Sequence, residues 1–150
     1  MYKRILVALE HSSYDAAIIE HIHKLARFCG ASLVLMHVAD GWAARNVKQL
    51  NLRESEEMRM DREYLERMCA SFIAQGLQAE ALLAGGDPSK EITAAAAREE
   101  CDLIAMSTHG HRFIKDMIYG SVANEVRHLS RVPVLLVRGE RGATPTGAAS

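Results

Sequence analysis

Cysteine is scarce in this sequence: Cys29, Cys69 and Cys101 are its three, far apart and without a Cys-x-x-Cys pair. Neither a disulfide framework nor a zinc site is suggested by that usage, and a reducing compartment is implied. Net charge is equally slight, at −1, which gives no broad electrostatic case for nucleic acid or an anionic membrane as partner; any anion site has to be built locally. Long apolar runs are absent too, none approaching the roughly 20 residues that span a bilayer. The opening stretch meets Glu10 and His11 before the apolar region of a signal peptide could develop. The expectation is a cytoplasmic protein with no membrane insertion and no nucleic-acid partner.

What is present suits one soluble globular domain. The 150 residues are 49% apolar and 25% charged, enough to bury a core without disulfides or metals. Residues 1–138 read as that domain and 139–150, rich in Gly, Ala, Thr and Ser, as a flexible C-terminal tail.

Ile5 to Leu9 is a short continuous apolar run of β-formers, the pattern of a strand buried on both faces of a parallel sheet. The pattern returns over Ser32 to Val38, Leu103 to Met106 and Val132 to Val137, while Gln78 to Leu83 partly alternates and reads as a strand nearer an edge. Between the runs the period is helical. Ala17, Ile18, Ile22, Leu25, Ala26 and Cys29 make one stripe ahead of Gly30. A second helix spans about 52–75, with Met58, Leu65, Met68, Phe72 and Ile73 on its apolar side. Asp87-Pro88-Ser89 caps a third helix running through Glu100, and Ser121 opens a fourth that ends near Ser130. This alternation predicts an α/β fold: a single-domain, open, five-stranded parallel sheet with helices on both faces, Rossmann-like in build.

In such sheets ligands bind outside the carboxyl ends of the strands, near the point where strand order reverses. Three segments lie there: Glu10 to Ser13, Ala39 to Trp42, and Ser107 to Ser121. Trp42 fits surface packing and ligand cover equally well. The third segment is longer than the usual βα turn of 2 to 6 residues. It carries His109, His111, Arg112 and Lys115 against one carboxylate, Asp116. Gly110 permits close backbone approach, and Gly120-Ser121 at a helix start would offer free N–H groups to a phosphate.

Gly110, nine residues, Gly120 and Ser121 resemble the last three fixed positions of the glycine motif of the universal stress protein family. The likeness extends to Ile5–Leu9, His37-Val38, Gly86-Asp87-Pro88, Cys101-Asp102-Leu103-Ile104 and Val132–Val137. The resemblance implies an adenine nucleotide alpha hydrolase-like fold that holds ATP, or ADP or AMP, at the strand carboxyl ends, with Mg2+ as a companion of the phosphates. Carried over by position, Ala8, Glu10 and Val38 flank the adenosine, and Met106, Gly110, Gly120, Ser121 and Val122 form the loop side. Ser107, His109, His111 and Arg112 complete the candidate site. Two departures stand out. Ser107 replaces the motif's first glycine, and Glu10-His11-Ser12 replaces Asp-Gly-Ser, so that His11 lacks glycine's freedom to take positive φ. The family also implies a homodimer through the last strand, in which Leu135 and Val137 share one face and Val134 and Leu136 the other.

There is no Gly-x-x-x-x-Gly-Lys-Ser/Thr and no Gly-x-Gly-x-x-Gly after the first strand. No catalytic centre stands out, which leaves at most slow ATP hydrolysis, and His109 and His111 lack an evident third metal ligand. The expected function is a nucleotide-binding protein of stress response or regulation with an unidentified protein partner. The alternative is a nucleotide-independent dimeric interaction protein with a vestigial loop.

Overall fold

In the computed structural model, residues 1–39, 56–109 and 114–139 are described, without the side chains of 109 and 114–119. The elements are β1 (Arg4–Ala8), α1 (Asp15–Cys29), β2 (Ser32–Ala39), α2 (Glu56–Ala74), β3 (Ala79–Gly85), α3 (Pro88–Arg98), β4 (Leu103–His109), α4 (Ile114–Leu129) and β5 (Val134–Gly139). The strands form one sheet in the order β3-β2-β1-β4-β5, with every pairing parallel. The five-stranded parallel sheet read from the apolar runs is therefore the observed one, and the weakly alternating β3 does lie at an edge. Strand order reverses between β1 and β4.

Side-chain alternation along the strands divides the core in two. Ile5, Val7, Leu33, Leu35, Leu103 and Ala105 pack under Ile18, Ile22 and Ala26 of α1 and Leu65, Cys69 and Phe72 of α2. Leu6, Val34, Met36, Ile104 and Met106 pack under Ile92, Ala95 and Ala96 of α3 and Ala123 and Val126 of α4. Register lines up Ala8, Met36 and Met106 across β2, β1 and β4, making a level platform at the carboxyl end of the sheet.

The helices differ from expectation in two places. α2 buries Asp61 in its sheet-facing stripe, whereas Ile73 is 55% exposed; the stripe is set by docking against β2 and β3, and a polar network there outcompetes one more apolar contact. The second correction concerns α4, which starts at Ile114 and not at Ser121. Residues 114–119 contain neither glycine nor proline, so the helix continues through them and overrides the local cap signal of Gly120-Ser121. Asp87 behaves as predicted, accepting from the backbone N–H of Lys90 ahead of a first-turn proline. No described helix is long and apolar enough to cross a membrane.

Candidate functional site

A cavity of about 600 Å³ opens above the carboxyl ends of β1, β2 and β4, the size of a small-ligand pocket. Its apolar side is the platform Ala8, Met36 and Met106 with Val38, Pro88, Ile92 and Val122; its polar rim holds Glu10, His11, His37, Glu57, Asp61 and Ser107. Six residues singled out in the sequence thus meet here: Ala8, Glu10, Val38, Met106, Ser107 and Val122. Gly120 and Ser121 are exposed and lie inside α4, where backbone N–H groups are directed back along the helix instead of into an open terminus. Gly110, His111, Arg112 and Trp42 lie outside the described residues. His109 closes β4.

The loop after β1 is arranged around Asp15, which is 1% exposed. Its carboxylate accepts from the backbone N–H groups of Glu10 at 2.9 Å, His11 at 2.8 Å and Ser12 at 3.3 Å. The Tyr64 hydroxyl of α2 adds a fourth bond at 2.6 Å. Successive N–H groups turned inward around a positive-φ residue form a nest suited to an anion. Here the chain's own carboxylate fills it. Those three N–H groups are therefore closed to a phosphate, and this loop brings the Glu10 carboxylate to the cavity.

His11 takes φ 60 although it has a Cβ. The cost of that conformation is of the order of 1–3 kcal/mol, and it is offset locally. Besides its N–H bond to Asp15, the ring stacks on Tyr64 with centroids 4.1 Å apart and 17° between planes. Its Nδ1 lies 2.7 Å from Asp61 Oδ1. Asp61, 5% exposed, faces His37 Nε2 with its other oxygen at 3.5 Å, and His37 Nδ1 reaches the Leu9 carbonyl at 2.8 Å. Burial, and then the Asp15 charge, push the Tyr64 phenol far above its ordinary range, so it stays a donor.

Asp15, Asp61 and Tyr64 escaped sequence reading, because single acids and a tyrosine on amphipathic helices look solvated. One signal was available for Asp15: Ser12-Ser13-Tyr14-Asp15 has the spacing of a capping box, in which the acid reaches back to the entering N–H groups. Ser107 is 5% exposed and its hydroxyl has no hydrogen-bond partner among the described residues.

Residues 1–138 match the family described as the universal stress protein family. Universal stress protein YxiE of Bacillus subtilis is 28% identical over 148 residues, covering 92% of this chain and 100% of the relative. The solved structure of MJ0577, a universal stress protein of Methanocaldococcus jannaschii, aligns with a TM-score of 0.79 at 25% identity, over 95% of this chain and 99% of the other. A universal stress protein from Archaeoglobus fulgidus, solved in complex with dAMP, aligns with a TM-score of 0.67 at 22% identity, over 91% and 98% of the two chains.

Proposed function

The chain belongs to the universal stress protein family, and from that premise we propose that it binds an adenine nucleotide in the cavity over β1, β2 and β4 as a regulatory protein of the stress response. One observation carries the reading: five positions that family likeness assigns to nucleotide contact, with Ser107 at the place of the motif's first glycine, line one cavity of nucleotide size. The dAMP complex of the Archaeoglobus relative supports the ligand class. Ala8, Val38, Met106 and Val122 would enclose the base, and Glu10 would accept from a ribose hydroxyl. With the nest at Asp15 occupied, the phosphates would be held by side chains at the cavity rim and by the candidate residues Ser107, His109, Gly110, His111, Arg112, Gly120 and Ser121. ATP, with or without Mg2+, is the proposed form, with hydrolysis slow at most.

Gly120 offers the test. A Cβ built there meets nothing within 4 Å, and alanine is the better helix former by about 1 kcal/mol, so Gly120→Ala should fold at least as well as the parent. Titration calorimetry with ATP, ADP and AMP should show binding by the parent and weaker binding by the variant. Equal affinities would remove Gly120 from the site, and no binding by the parent would favour the nucleotide-independent alternative.

A further inference from the structure

The protons of His11, Asp61 and His37 can be counted from their partners. The Leu9 carbonyl only accepts, so His37 Nδ1, 2.8 Å away, carries a hydrogen. His37 Nε2 then faces Asp61 Oδ2 at 3.5 Å. Asp61 Oδ1 accepts from His11 Nδ1 at 2.7 Å, which places the hydrogen of a neutral His11 on Nδ1. His11 Nε2 is left as a bare lone pair, with no partner among the described residues, on a ring that lines the cavity.

We propose that His11 is a proton-linked contact of this site: a phosphate-bearing ligand binds together with a proton taken up at His11 Nε2. The inference rests on the nucleotide reading above. Protonation turns Nε2 from an acceptor into a charged donor at the cavity wall. The cation has support already in place, since Asp61 accepts from its other nitrogen and the Tyr64 face stacked on it is electron-rich. Around the ring stand His37 from β2, Asp61, Tyr64 and Glu57 from α2, Asp15 from α1, and Glu10 from the loop. The Asp15 carboxylate is engaged by three N–H groups and a hydroxyl. An entering phosphate adds negative charge and favours the protonated ring, so affinity rises as pH falls through the range in which histidine titrates. A neutral ligand gains nothing.

Calorimetry of the full chain with AMP and with adenosine, in buffers of different ionisation heat, counts the protons taken up. His11→Asn is the comparison, because asparagine tolerates positive φ, offers Asp61 a donor and does not titrate. AMP titrates in the same range, and its contribution is common to parent and variant. Between pH 8 and pH 6 the parent should gain about three- to tenfold more affinity for AMP than the variant, with extra proton uptake, and adenosine should show neither effect. Equal proton counts and equal pH slopes would overturn the proposal. Should the variant fail to fold, ring NMR of the parent decides: a His11 titration that AMP does not move upward overturns it equally. If AMP binds at no pH, the nucleotide reading itself falls.

Discussion

Tyr64 on α2 donates its hydroxyl to Asp15 on α1 across 2.6 Å, and the same Asp15 oxygen accepts the His11 N–H at 2.8 Å. One buried carboxylate thus ties together both helices on this sheet face and the loop that bears Glu10 and His11, so the shape of the cavity rim depends on it.

Tyr64→Phe should cost about 1.5–3 kcal/mol, the usual worth of one good hydrogen bond to a charged group. Asp15→Ala should cost more, about 3 kcal/mol or above, because three N–H groups lose their acceptor together. Denaturant melts measure both, and the double variant should cost less than the sum. The pH dependence has a definite sign. Folded Tyr64 keeps its proton where an unfolded tyrosine, above about pH 10, releases it, so the unfolded state binds fewer protons there and stability falls as pH rises. Tyr64→Phe should lack that slope; an identical alkaline slope would remove the hydroxyl from this role.

Gly139, the last residue of β5, has no room for a side chain. A Cβ there would lie 2.8 Å from Ser107 Oγ, 2.9 Å from the Tyr14 carbonyl oxygen and 3.1 Å from Tyr14 Cβ. Gly139→Ala should therefore destabilise by about 1–3 kcal/mol. Ser107→Gly should rescue it only in part, since the Tyr14 backbone cannot yield as a side chain does. Alone, Ser107→Ala should stabilise by about 1 kcal/mol, because it removes a buried hydroxyl without a partner. A loss of nucleotide affinity in Ser107→Ala would identify that hydroxyl as a ligand contact.

The strands were legible because a sheet covered on both faces demands unbroken apolar runs, and Ile5, Leu33 and Leu103 line up in register as those runs suggest. The apolar half of the cavity followed, since platform residues such as Ala8 and Met106 are themselves strand residues. The polar half did not. His11, Asp61 and His37 come from a loop, a helix and a strand, and only docking of α2 brings them together. The start of α4 was misread for a related reason: a glycine-serine pair marks a helix start only where the preceding residues cannot be helical, and residues 114–119 are.

The thiols should react at unequal rates. Burial pushes Cys69 up to about 11, helped by Glu66 and Glu80, and burial likewise raises Cys101. Cys29 is half-buried at the end of α1. Labelling with a thiol-disulfide reagent near pH 8 should modify Cys29 quickly and the other two only after unfolding. Peptide mapping would show it, and rapid native labelling of Cys69 would contradict the packing of α2.

β5 ends the sheet beside β4, and an edge strand offers its outer N–H and C=O groups to a partner. Leu135 and Val137 pack into the core under α1, and Val134 joins the core under α4. Leu136 is 36% exposed. The two faces named from sequence are therefore not equivalent, and Leu136 is the apolar side chain left over. A homodimer that pairs β5 strands across a two-fold axis would cover it in both copies by an isologous contact. Leu136→Asp should accordingly break the dimer while leaving the monomer folded, whereas Leu135→Asp places a charge in the core and should unfold the chain. Sedimentation at tens of micromolar, with circular dichroism as the check on folding, separates these outcomes. A monomeric parent would refute pairing through β5, and a dimer that survives Leu136→Asp would place the interface elsewhere.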